Sequence, residues 1–135
     1  MLGDAVQALD ETRDAFERIQ PGLHWSTAQW TAASMAFRMR LPCTERHLAM
    51  LHRVTPANWP DTGWSIDLSS ARADFEQELR AAMNVLDLLL RHDLPPGERA
   101  WQAQDFTSGG KGLLEALQRL REVIVTRYPE TIWRP

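Results

Sequence analysis

Cys43 and His47 stand four residues apart, one helical turn, so that a thiol and a base could share a face. The helix expected to open at Thr44 would place Cys43 near a positive dipole end, where a thiol pKa falls. A nucleophile of this kind needs a third group to orient its base, and none is readable, so Cys43 reads as a small hydrophobe and not as a catalytic residue. The four histidines are His24, His47, His52 and His92. They contain neither a His pair at i,i+4 nor a Glu-x-x-His step, and His47 and His52 would point about 140° apart on a helix. No metal site, and no cofactor, is expected.

Ser108-Gly109-Gly110-Lys111-Gly112 combines glycines, which let backbone amides approach a ligand, with the only lysine of the chain. Placed at a helix start, Ser108, Gly109, Gly110 and Lys111 could hold an anion. The segment lacks the Gly-x4-Gly-Lys-[Ser/Thr] spacing and no strand precedes it, so a nucleotide-binding loop is not expected. Its simpler reading is a flexible connection capped by Ser108. Arg38, Arg40, Arg46 and Arg53 face only Glu45 between residues 38 and 53, giving +3 in a chain of net charge −3. These arginines could contact phosphates while Trp59 and Trp64 stack on unpaired bases. Arg46 and Arg53 would share one helical face, whereas Arg38 and Arg40 would diverge.

The elements that must position such groups are helical. The chain has 135 residues, 44% hydrophobic and 24% charged, the size and composition of one ordinary globular domain. Its apolar runs are too short to span a bilayer and its first residues lack a signal-peptide pattern, from which a cytoplasmic protein without membrane partners is expected. From Asp4 to about Ile19, Ala5, Leu9, Thr12, Phe16 and Ile19 fall on one side of a helix. A second helix is predicted from Ser26, a good N-cap, to about Arg40. Its Trp30, Ala33, Met35, Phe37 and Met39 spread round the circumference and predict the most buried helix. Pro42 predicts its end, and Thr44-Glu45 the start of a third helix carrying Leu48, Met50, Leu51 and Val54. Residues 55–68 read as a long Trp- and Pro-containing loop between helices 3 and 4. A fourth helix follows from Ser69 or Ser70 to about His92, with Glu76–Arg80 and Asp87–Arg91 spaced for ion pairs. Pro95-Pro96-Gly97 breaks the chain, a short helical turn is expected near residues 98–104, and the last helix carries Leu113, Leu117, Leu120, Ile124 and Tyr128. The expectation is an all-α, single compact domain of about five helices, in bundle-like or irregular orthogonal packing.

Candidate contact residues outnumber candidate reactive ones. Asp10, Asp14 and Glu17 form an acidic stripe opposite the first helix's apolar face, suited to a basic partner. Ala81, Val85 and Leu88 form a second apolar stripe away from Leu79, Leu86 and Leu90, so that Val85 and Leu88 call for a second burial surface, inside the domain or across an interface. Four of six tryptophans, Trp59, Trp64, Trp101 and Trp133, fall in Pro- and Gly-punctuated segments. Of these, Trp64 is expected to hold the loop to the helices and Trp59 to anchor a partner. The function expected is a non-enzymatic protein-binding module, such as a dedicated inhibitor, immunity or antitoxin-like protein or a small adaptor subunit, acting in a hetero-complex or homo-oligomer. The alternative is a helical accessory subunit of a nucleoprotein complex that uses the arginines, and the third is a small ligand-binding protein or enzyme.

Overall fold

A computed structural model describes residues 2–19, 25–54, 63–91 and 93–127, apart from the side chains of residues 2, 52–54, 63–66 and 127. These residues form four helices: α1 (Leu2–Glu17), α2 (Thr27–Val54), α3 (Gly63–Leu89) and α4 (Pro96–Arg127). The expected second and third helices are one. So are the expected turn near residues 98–104 and the last helix, and α3 begins inside the expected loop.

Continuity through Pro42 follows from where the residue sits. Proline removes one i to i−4 hydrogen bond and crowds the carbonyl of Arg38, a penalty of about 3 kcal/mol in a helix interior. Pro42 is exposed, on the side of α2 away from its buried residues. On the dry side, Trp30 and Phe37 before the proline and Thr44, Leu48 and Leu51 after it are all buried, and their packing offsets the local penalty. Thr44, expected to cap a new helix, instead lies inside α2. Its hydroxyl donates to the Ala8 carbonyl at 3.3 Å and meets the Thr12 hydroxyl at 2.7 Å, a buried polar pin between α1 and α2. The true start of α2 is the expected one. Ser26 Oγ accepts from the Gln29 amide at 3.3 Å and Gln29 Oε1 accepts from the Ser26 amide at 2.8 Å, a reciprocal capping box.

The glycines of α4 are likewise interior. None of the described glycines has a positive φ, and Gly109, Gly110 and Gly112 continue the helix that starts at Pro96. The contact of α4 with α3 is the most extensive of the fold, and Gly112 lies close against α3. At Gly112 a Cβ would stand 2.6 Å from Glu78 Oε2, whereas at Gly109 it would meet nothing within 4 Å.

The four helices run alternately up and down. α1 lies antiparallel to both α2 and α4: Thr12 meets Thr44 and Glu11 pairs with Arg40 on one side, while Asp10 pairs with Arg121 at 3.0 Å and Arg13 bonds Gln118 at 2.8 Å on the other. α3 is antiparallel to α4, with Arg119 paired to Asp74. Arg99 joins that hairpin at its turn, donating to the carbonyls of Leu89 at 2.7 Å and Arg91 at 2.5 Å, which the end of α3 leaves without helical donors. α2 touches α3 only lightly, through Arg38 and Asp87 at 2.8 Å. The expected Asp87–Arg91 and Glu76–Arg80 pairs give way to Arg38–Asp87, Arg91–Asp93 and Arg72–Glu76.

One core cluster spans the four helices, with Leu9 and Phe16 from α1 and Ile19 just after it, Phe75, Leu86 and Leu89 from α3, and Leu113, Leu117 and Ile124 from α4. At its centre Phe16 stacks at an angle on Phe37 (5.1 Å) and Phe106 (5.4 Å), and Trp30 meets Phe106 and Trp25 edge-on (5.4 and 5.2 Å). Such rings bury large apolar area in fixed geometry and tie α1, α2 and α4 together.

Candidate protein-binding face

α2 carries two seams of side chains, one on each side. Trp30, Ser34, Phe37, Leu41, Thr44, Leu48 and Leu51 alternate in steps of four and three; Leu41 is half-buried and the rest are buried. Ala32, Ala36, Met39, Cys43, Arg46 and Met50 follow the same alternation, and all six are exposed. At 100° per residue the mean directions of the two sets differ by about 150°. The four-three step is the spacing by which one helix meets another, knobs into holes. α1 fills the inner seam. Along the outer one, Met39 is 74% exposed and Met50 38%, and Met35, beside the seam, is 60% exposed. The expectation that α2 is the most buried helix is therefore corrected: its apolar residues encircle it because it has two apolar faces, of which the fold covers one. Methionine is flexible and polarisable, and suits a surface that must mould to another.

The arginines divide by position. Arg38 pairs with Asp87 and Arg40 with Glu11, so both are used to join helices. Arg46 is exposed on the outer seam between Cys43 and Met50, and among the described residues no carboxylate pairs with it. The side chain of Arg53 lies outside the described residues. Cys43 is exposed in mid-helix, which removes the dipole expected to activate it. His47, one turn on, is half-buried, and among the described residues no group of three or more His, Cys, Asp or Glu could hold a metal ion.

The acidic stripe of α1 is divided too. Asp10 is half-buried against Arg121 and Glu17 pairs with Arg13 at 3.1 Å, leaving Asp14 as the exposed member with no ion pair among the described residues. Asp10, Arg13, Asp14, Gln118 and Arg121 line an open cleft of about 450 Å³ whose charges are mixed. On α3, Val85 and Leu88 are half-buried and Ala81 is exposed. Val85 packs against the core and, with Ala81, Ala82, Glu78, Asp105, Phe106 and Gly109, lines a notch of about 140 Å³ between α3 and α4. The second burial surface expected for it is thus supplied in part by α4.

The candidate anion site is corrected. Ser108, Gly109, Gly110 and Lys111 lie well inside α4, where backbone amides bond carbonyls one turn back and are not offered to a ligand. Ser108 shares a shallow cleft with Trp101, Gln104 and Asp105, the last a carboxylate that opposes an anion. Trp101, expected in a connection, is on the first turns of α4 and 63% exposed. Trp59 lies outside the described residues, as does the side chain of Trp64.

Among the described residues no helix is long and apolar enough to cross a membrane. Comparison with protein-family models, curated proteins and solved structures finds no match to this chain.

Proposed function

We propose that the chain is a non-enzymatic, helical protein-binding module, an adaptor or a dedicated inhibitor, whose principal contact face is the outer seam of α2. The observation that carries this reading is the exposure of Met35, Met39 and Met50 on the side of α2 opposite its buried seam. Water-facing apolar side chains occur singly on most proteins, but Met35 and Met39, one turn apart beside exposed Ala32, Ala36 and Cys43, form a patch of the kind that suits a partner. The seam from Ala32 to Met50 runs about 27 Å at 1.5 Å per residue, the length of a common protein contact helix. The nucleic-acid reading draws less support, since Arg38 and Arg40 are already neutralised by Asp87 and Glu11 and a phosphate backbone would have to compete with both.

Affinity capture from the cells that produce the protein, with the natural chain and a Met35→Lys/Met39→Lys variant in parallel, tests the reading. Both side chains project into water, so the variant should keep its helical content and thermal midpoint. A protein retained in stoichiometric amount by the natural chain should be released, its affinity reduced by about 30-fold or more if the two methionines supply about 2 kcal/mol as anchors. Equal retention by both chains would remove the α2 face from the interface.

A further inference from the structure

The outer seam also constrains what can lie on it. Its residues recur as Ala32, Ala36, Met39, Cys43, Arg46 and Met50, three small side chains, two long apolar ones and one cation. A straight row one side chain wide fits a second helix. Ala32 and Ala36 leave hollows that long apolar residues of the incoming helix would fill, while Met39 and Met50 are knobs for its smaller ones. Arg46 sets the further condition. The positions one turn away from it are Pro42, Cys43, Ala49 and Met50, so its own helix offers no counter-charge, and a helix laid over the seam would strip water from the guanidinium.

A second copy of this chain paired through the same seam does not meet that condition. In a parallel pair equivalent seam positions face each other, which sets Arg46 against Arg46. In an antiparallel pair the two alternating sets face one another, which sets Arg46 against Ala36, Cys43 or Met50. Glu45, the one acidic residue of α2, projects about 100° away from Arg46 and cannot reach across the seam from either arrangement. A polar residue in an otherwise apolar seam fixes register and partner choice, and a cation there selects an anion.

Resting on the protein-binding reading above, we propose that the occupant of the outer α2 seam is an amphipathic helix of a different protein, with an Asp or Glu inside its apolar stripe that pairs with Arg46. The carboxylate fixes the register in which long apolar residues cover Ala32 and Ala36.

A photo-crosslinking residue placed at Met39, which is exposed, is activated in the cells that produce the protein, with the same residue placed at Glu115 on α4 as a control for nonspecific capture. The adduct from Met39 is digested and the attached segment identified. A helical segment of another protein, with apolar residues in steps of three and four and an internal Asp or Glu, is the expected result. Arg46→Glu should then weaken the purified complex at least tenfold, and exchanging the partner's carboxylate for Lys should restore most of that loss. Attachment to a protein segment with no internal carboxylate, or a charge exchange that restores nothing, overturns the acidic-helix proposal and leaves the protein-binding reading standing. Attachment to α2 of a second copy overturns it equally. Attachment to lipid or nucleic acid, or no adduct above the Glu115 control, overturns both.

Discussion

Gly109→Ala separates a continuous α4 from a helix that begins after a glycine-rich connection. In the structure Gly109 is interior to Pro96–Arg127, exposed, at a helical φ, with open space where a Cβ would stand. Alanine there should gain the difference in helix propensity, about 0.8–1.0 kcal/mol, with no steric charge against it. For a chain of 135 residues, an unfolding entropy of about 2.1 cal/mol/K per residue converts that gain into a rise of about 3–4 °C in Tm. Gly112→Ala offers the internal comparison. Its Cβ would stand 2.6 Å from Glu78 Oε2, so the carboxylate must swing aside and the gain should be smaller. Adding Glu78→Ala removes the obstruction, and the alanine substitution at Gly112 should then approach the gain seen at Gly109, a coupling that a double-mutant cycle isolates. Thermal and urea unfolding followed by circular dichroism at 222 nm measures all of these. A fall in Tm on Gly109→Ala would refute the continuous helix, because alanine is disfavoured where a connection needs the freedom of glycine.

Arg99→Ala should lower stability by about 1–3 kcal/mol by leaving the carbonyls of Leu89 and Arg91 without their charged donor, and Arg99→Lys should recover only part, since one ammonium cannot reproduce the planar fork; urea midpoints decide this. Thr44→Val should cost about 1 kcal/mol by removing the bonds to Ala8 and Thr12, and pairing it with Thr12→Val should cost less than the two single changes added, because neither hydroxyl is then stranded. Phe37→Ala, two residues from Met39 on the same helix, should cost about 3–5 kcal/mol, whereas Met39→Ala should stay within about 0.5 kcal/mol. Equal losses at Phe37 and Met39 would mean that the outer seam is packed in the isolated chain.

α1 was legible from sequence because its apolar residues keep to one side, and Ala5, Leu9, Thr12, Phe16 and Ile19 are all buried. The same holds for Leu113, Leu117, Leu120 and Ile124 on α4 and for Leu79 and Leu86 on α3, while Leu90 after α3 is half-buried. What escaped was continuity. Pro42 and the triplet Gly109, Gly110 and Gly112 are punctuation by local propensity, yet propensity is a weak prior against buried partners on both sides of the break. Thr44 shows the ambiguity at a single residue. A threonine after a proline reads as a cap, and only the facing Thr12 and Ala8 of α1, more than thirty positions away, reveal that its hydroxyl belongs to an interior contact.

The proposed contact face was hidden for a related reason. Periodicity reports how many apolar faces a helix has, but not which of them its own chain covers. On α2 the two seams together surround the helix, and Met35 and Met39 then read as core beside Trp30 and Phe37. Their difference arises from tertiary placement: α1 packs extensively against α2, whereas α2 meets α3 only lightly, and the outer seam stays exposed. The same placement sorts the arginines, which from sequence form one basic block. Arg38 and Arg40 pair with Asp87 and Glu11 and serve the fold, whereas Arg46 is exposed on the outer seam. A lone exposed guanidinium whose helical neighbours are Pro42, Cys43, Ala49 and Met50 is poorly placed to steer a phosphate backbone, which binds through several cations at once. It is well placed to discriminate among helices, since a partner lacking a carboxylate at that level would bury a charge unpaired. The face proposed for binding thus carries its selectivity in one residue and its area in the methionines.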